Sequence, residues 1–169
     1  MILCENILQS GYCVSGQSID NATECIKRMQ PNQLILLNIG AVDIMSGRDL
    51  IEVVISMMRL LKTCKSNDIT PVLTTLPAIA NHRINSRAFV TTEFNKFLMK
   101  NPFDFPVIDL HEAFMKSDGK MDPNCYEDVP RYVSGFKKPL VLWSKMGRQR
   151  AMTTLKEKIG SAILKIIIK

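Results

Sequence analysis

The chain has few of the residues that most directly announce chemistry. Of 169 residues only two are histidines, His82 and His111, and one is tryptophan, Trp143. The five cysteines, Cys4, Cys13, Cys25, Cys64 and Cys125, are odd in number and contain no Cys-x-x-Cys pair. Zinc sites draw on closely spaced Cys and His, and disulfide frameworks on an even set, so neither is expected. No metal and no other cofactor is assigned. Reduced thiols point to an intracellular, cytoplasmic setting. No stretch comes near the roughly 20 apolar residues that cross a bilayer. The amino terminus lacks the basic flank and apolar run of a signal peptide, so a membrane is not an expected partner. Internal repeats and low-complexity tracts are missing as well.

What is present suits one globular domain over residues 1–169, with an apolar content of 46%. Lys and Arg number 22 against 16 Asp and Glu, a net charge of +6. An excess of that size favours an anionic partner such as nucleic acid. Taken alone, it fits a soluble protein that is merely basic equally well.

The run Leu34-Ile35-Leu36-Leu37-Asn38-Ile39-Gly40 reads as a strand buried on both faces and closed by a tight turn. The other elements hang on it. Gly11–Val14 is an expected short strand. A helix follows from Ile19, capped by Ser18 or Asp20, with Ala22, Cys25, Ile26 and Met29 on one face. A second helix spans Leu50 to Cys64, capped by Ser46 or Asp49, with Met57 and Met58 as core filler. Ile69–Leu76 is a strand stopped by Pro77. Ile84 to Lys100 is a helix with Phe89, Phe94, Phe97 and Leu98 inward, and Pro106–Leu110 is a short strand. Ser117 to Lys138 reads as a long loop over the sheet. Gly147 to Ile168 is a last helix with Met152, Leu155, Ile159, Ile163 and Ile166 on its inner face. Strands alternating with helices predict an α/β three-layer sandwich: a mostly parallel, doubly wound sheet with helices on both faces.

Four stretches, in order, resemble blocks of the SGNH/GDSL hydrolase family. Ser15-Gly16-Gln17-Ser18 resembles the second block, and Ile39-Gly40-Ala41-Val42-Asp43-Ile44 the third, normally Gly-x-Asn-Asp. Thr75-Leu76-Pro77 with Phe94-Asn95 resembles the strand-proline turn and the helix after it. Leu142-Trp143-Ser144-Lys145-Met146-Gly147 resembles the last block, normally Asp-x-x-His-x-x-x-x-Gly. The likeness covers roughly Gly11 to Leu164 and implies the family's sandwich fold, with this chain lacking the first strand and its Gly-Asp-Ser block. Val42 stands where the family has an oxyanion donor. Pro139 and Leu142 stand at the aspartate and histidine positions, and neither side chain accepts or carries a proton. No catalytic residue is assigned, because losing triad members costs several orders of magnitude in rate. The parts of a relocated triad would be Ser15, Ser18, Asp109 and His111.

The turn at 38–44 and the tail at 142–150 further resemble a catalytically inactive branch of this family. That likeness implies an RNA-binding module of cytoplasmic ribonucleoprotein granules, with no small-molecule substrate. It would act in germ-plasm assembly and recruit maternal messenger RNAs, 3′ untranslated regions among them, with germ-granule proteins as further partners. The residues carry a compatible signal. Lys137, Lys138, Lys145, Arg148 and Arg150 crowd the lost catalytic block; Arg131, Tyr132 and Phe136 precede them. Arg83 and Arg87 follow the Pro77 strand end. Cations neutralise phosphates and an exposed aromatic stacks on an unpaired base. Two other readings stay open: a protein-interaction scaffold that binds no RNA, and an esterase or lipase with the relocated triad.

Overall fold

The computed structural model describes residues 16–78, 85–100, 102–133, 136–138 and 142–167. The expected strand at Gly11–Val14, the triad candidate Ser15, the cation Arg83 and Pro139 lie outside them. Three strands, β1 (Leu34–Leu37), β2 (Thr70–Thr74) and β3 (Val107–Ile108), form a parallel sheet in the order β1-β2-β3. Leu36 pairs with Val72 and Leu73 with Val107. The helices are α1 (Ile19–Ile26), α2 (Ala41–Met45), α3 (Leu50–Ser66), α4 (Asn85–Lys100) and α5 (Lys145–Ile167).

Side chains of a strand alternate between faces, and β2 shows what that produces. Leu73 joins the core built with Ile19, Met57, Leu60 and Phe94, so α1, α3 and α4 cover that face. Its neighbour Val72 joins Ile108, Phe114, Ala151 and Ala162 on the other face, which α5 covers. The result is the expected three-layer α/β sandwich.

Local sequence chemistry sets the element ends. Ser18, not Asp20, caps α1, its hydroxyl accepting the Asn21 N–H at 3.3 Å. Asp49, not Ser46, caps α3 in a reciprocal box: Asp49 accepts the Glu52 N–H at 2.8 Å, and the Glu52 carboxylate accepts the Asp49 N–H at 3.1 Å. Each arrangement satisfies amide donors that a helix start leaves without a partner.

Several expectations are corrected. β1 ends at Leu37 and is not buried on both faces: Leu34 is 48% and Leu36 42% exposed, and among the described residues none of β1 joins the core that α5 covers over β2 and β3. Hydrophobicity alone could not show which strand the last helix leaves uncovered. Phe89, Met58 and Met152 are likewise exposed, not inward. Met57 and Met58 are neighbours on a helix that buries one side, so only Met57 reaches the core. On α5 the row facing the core runs through the buried Ala151 and Ala162 and the half-buried Leu155, Ile159 and Ile166, one position off Met152. α5 starts at Lys145, two residues earlier than expected. The supposed loop from 117 to 138 holds a 3-10 turn (Pro123–Cys125) and two antiparallel strands, β4 (Arg131–Val133) and β5 (Phe136–Lys138). Among the described residues no helix is long and apolar enough to cross a membrane.

Two glycines are required by geometry. Gly40, which caps α2 after β1, has φ 115°, and a Cβ there would lie 2.9 Å from the Phe94 ring. Gly147, in the first turn of α5, has ordinary helical backbone, but a Cβ would lie 2.1 Å from the Cys125 carbonyl oxygen. Gly160, farther along the same helix, has open space around its missing Cβ. Gly147→Ala should therefore destabilise the protein by about 1–3 kcal/mol or more, as overpacking does. Gly160→Ala should stabilise it by about 0.5–1 kcal/mol through helix propensity. Urea midpoints of the two variants check the contrast; equal midpoints would contradict the close approach.

Candidate functional site

In a parallel α/β sheet, ligands gather at the carboxyl ends of the strands. Here that edge is polar but internally committed. The Asn38 amide donates to Thr74 Oγ1 at 2.6 Å. Thr75 Oγ1 donates to Asp109 Oδ1 at 2.6 Å and accepts the N–H groups of Leu110 and His111 at 2.8 and 3.0 Å. Asp109 Oδ1 also accepts the His111 N–H at 2.9 Å. The buried Asn95 amide brackets Leu76, accepting its N–H at 2.7 Å and donating to its carbonyl at 2.8 Å. His111 Nδ1 faces the same carbonyl at 3.2 Å and the Asn95 amide nitrogen at 3.5 Å.

This arrangement does not make a proton relay of the described candidates. The Ser18 hydroxyl is occupied as a helix cap, and the His111 ring addresses a carbonyl instead of the Asp109 carboxylate. Asp109 works as a turn-capping acceptor. Val42 lies half-buried in α2 and offers no donor from its side chain. The next residue, Asp43, is buried and structural. Its carboxylate accepts the Ile19 N–H at 3.0 Å and pairs with Arg48 at 2.7 Å. Arg48 goes on to Ser56 Oγ at 2.8 Å and to Asp20 at 3.2 Å, tying α1, α2 and α3 together. Burial works against the Arg48 charge, but the Asp43 hydrogen bond and the nearby carboxylates outweigh it and hold its pKa above the ordinary value.

The other candidate region is a β-ribbon. At its root, Tyr126 bridges Trp143, the Glu127 N–H donates to the Leu142 carbonyl at 2.8 Å, and the Ser144 N–H donates to the Cys125 carbonyl at 2.9 Å. At its far end Arg131 pairs with Lys138, Tyr132 with Lys137 and Val133 with Phe136. Both ladders share one register: the pair six residues on from Tyr126 and six back from Trp143 is Tyr132–Lys137. Directly opposed residues of an antiparallel ladder share a face, so the 77%-exposed Tyr132 stands beside the exposed Lys137.

The root is anchored apolarly and ionically. The Phe114 ring lies 5.6 Å from Tyr126 and 5.1 Å from Trp143, centroid to centroid. Trp143, half-buried, thus packs against the core. The Tyr126 hydroxyl donates to the Ala78 carbonyl after β2. Ser144 caps α5, accepting the Gly147 N–H at 3.2 Å. Arg150 pairs with the buried Asp122 at 2.9 Å. Burial raises the Cys125 thiol pKa against the opposing effect of Arg150.

The structure gathers six of the eight expected cations on this ribbon and the helix leaving it. Arg131, Lys137 and Lys138 lie on β4 and β5; Lys145, Arg148 and Arg150 lie on the first turns of α5. Their engagement differs. Lys145 is exposed, Arg148 reaches Glu127 at 3.4 Å and the Trp143 carbonyl at 2.7 Å, and Arg150 is committed to Asp122. Arg87 sits half-buried on a different element, the start of α4. The sequence reading missed the ribbon that sets Tyr132 beside Lys137. The signal was there: Ser134-Gly135 between two short runs with aromatic and β-branched residues is a hairpin pattern. No group of three or more His, Cys, Asp or Glu among the described residues could hold a metal ion.

Comparison with known proteins bears on this geometry. A family model described as the OSK domain matches residues 2–161. The maternal effect protein oskar of Drosophila virilis is 35% identical over 158 residues, covering 92% of this chain and 27% of that protein. The D. melanogaster protein of the same name is 34% identical over 155 residues, covering 89% and 25%. The chain thus spans about a quarter of the length of these relatives. The crystal structure of the C-terminal domain of Drosophila Oskar superposes with a TM-score of 0.81 at 32% identity, over 94% of this chain and 77% of that one. A GDSL-like lipase from Bacteroides thetaiotaomicron superposes with a TM-score of 0.63 at 13% identity, over 88% and 73%, a likeness of fold alone.

The ribbon root also sets a pH limit. Burial raises the Tyr126 pKa above its usual 10.0. Burial likewise lifts the Cys64 thiol from 9.0 to about 12. Folding therefore favours the neutral forms. Their contribution is full below the unfolded pKa values and is lost as pH rises past about 9 for the thiol and 10 for the phenol. Urea midpoints should stay level to about pH 9 and fall above it. Tyr126→Phe should remove the part of the fall that sets in above about pH 10. An unchanged alkaline profile in that variant would contradict the assignment.

Proposed function

This chain belongs to the OSK domain family, and on that premise we propose that it is an RNA-binding domain without hydrolytic activity, working in germ-plasm assembly. The fold is that of the SGNH/GDSL hydrolases, but Val42 and Leu142 supply no oxyanion donor and no base where the family's pattern places them. The side chains at the sheet's carboxyl edge are occupied with one another. In this reading the old catalytic region serves as a frame for the ribbon and α5.

The observation that carries the proposal is the juxtaposition on one ribbon. An exposed aromatic, Tyr132, lies beside a cation, Lys137, and two further cations, Lys145 and Arg148, stand where the ribbon returns into α5. Cations attract phosphates regardless of sequence, and a ring beside them offers a platform for an unpaired base. The partners would be messenger RNAs, their 3′ untranslated regions among them, with germ-granule proteins joining in cytoplasmic ribonucleoprotein granules.

A second reading has its own observation. Ile51, Ile55 and Met58 are 69%, 52% and 43% exposed and recur at i, i+4 and i+7 on α3. Such a stripe suits a protein partner and favours a scaffold. The two readings separate in a titration against labelled single-stranded RNA at two salt concentrations. Lys137→Glu, Lys145→Glu and Arg148→Glu together should lower affinity at least tenfold. They should also flatten the salt dependence by roughly one log unit for each phosphate no longer neutralised. Arg150 is left intact because reversing it would strand the buried Asp122 carboxylate. Unaltered binding by the triple variant would remove the patch from the interface. No binding by the parent protein at low salt would leave the scaffold reading.

A further inference from the structure

Beside α5 runs an open groove of about 590 Å³, between that helix and the segment following β3. Met115 and Met146 give it soft apolar walls, and Gln149, Arg150 and Thr153 give it polar ones. Resting on the RNA-binding reading above, we propose that this groove receives one unpaired base of a single-stranded RNA.

Three features argue for that occupant. The first is Arg150. Its guanidinium is pinned at 2.9 Å by a carboxylate that is only 7% exposed, so a flat cation is held in place before any ligand arrives. A fixed guanidinium plane is a surface on which bases stack, and the ordering cost has already been met within the fold. The second is the mixture of linings. Thioether side chains adapt to a flat ring of either size. The Gln149 amide carries both donor and acceptor, which suits the edge of a base better than it suits an aliphatic chain. The third is charge around the groove. Lys145 lies one helical turn from Gln149 on the same face of α5 and is exposed, as is Lys116, next to Met115 on the opposite wall. Three carboxylates lie nearby: Glu112, exposed on the 3-10 turn of residues Glu112–Phe114, Glu157, exposed one helical turn from Thr153, and Asp122, buried and matched to Arg150. A phosphodiester chain held by these lysines would place a base over the groove. The ribbon contributes none of these lining residues, so the groove and the Tyr132 platform are separate features.

The test must separate base recognition from phosphate attraction and from Tyr132. Anisotropy titrations would use a fluorescein-labelled oligouridylate and the same ribose-phosphate chain made abasic. The Tyr132→Ala variant serves as the background, so that base dependence from the ribbon is removed. In it, the groove should still favour the base-bearing chain by roughly fivefold or more. Adding Thr153→Leu, which fills the groove with an aliphatic side chain from an exposed helix position, should abolish that preference while leaving the salt dependence unchanged. Gln149→Ala should reduce it in part. Thermal melting confirms that these surface variants are folded. Salt-dependent binding with equal affinity for the two chains in the Tyr132→Ala background would overturn the groove and leave the RNA-binding reading standing. So would a preference that survives both groove substitutions. No binding of either chain by the parent protein would overturn both.

Discussion

Helix α5 reaches the root of the ribbon only because residue 147 has no Cβ. The Cys125 carbonyl occupies the space where that atom would be, and the same carbonyl accepts the Ser144 N–H that closes the ribbon. Helix start, ribbon root and 3-10 turn therefore share one point of contact. From it follow the reach of Arg150 to Asp122, the Ser144 cap and the seat of Trp143 on Phe114. It also fixes where Lys145 and Arg148 emerge. A contact between backbones has no flexible side chain to absorb an error, so a single added methyl group would disturb every feature of the candidate site at once.

The positions resembling hydrolase blocks have kept architectural work. Gly40 still turns the chain from β1 into α2 against Phe94, and Asp43 joins three helices through Arg48. Asn95 fastens α4 to the strand end at Leu76 with two hydrogen bonds. Each of these polar groups has its partners in place, and each would be costly to leave unpaired. This explains how a chain at 13% identity to a GDSL-like lipase can hold a related fold. The residues that resemble the family here are those that shape the strand ends.

Much of the sandwich could be read from the sequence because its periodicities are local. The capped helix at Leu50 and the buried strand at Ile69–Leu76 follow from residue spacing within a few turns. The exposure of Leu34 and Leu36 could not be read, since the burial of a strand face is settled by packing that is distant in sequence. Phe89 and Met152 failed for a related reason: an apolar residue at the edge of a helix stripe is buried only if a neighbour extends over it. The ribbon was obscured by composition. Its Asp, Pro, Gly and Lys content reads as loop, while its pairing is antiparallel and nonlocal. Basic residues close in sequence drew attention to the region, but charge could not tell the exposed Lys145 from the half-buried, paired Arg150.

That distinction governs what such a surface can do. A cation already matched to a buried carboxylate contributes little long-range field, because the pair is nearly neutral from outside. Arg150 therefore cannot supply much of the attraction for a polyanion, whatever its place in sequence; in the proposed function that falls to Lys137 and Lys145. Attraction of this kind carries no preference among RNA sequences, since phosphates are identical along the chain. Any selectivity must come from surfaces that meet bases, and those need to be rigid to discriminate. The pinned Arg150 and the ring of Tyr132 fall on one side of that division and the exposed lysines on the other. In the proposed function the exposed cations would set how strongly RNA is held, and the surfaces that meet bases would set which bases are tolerated.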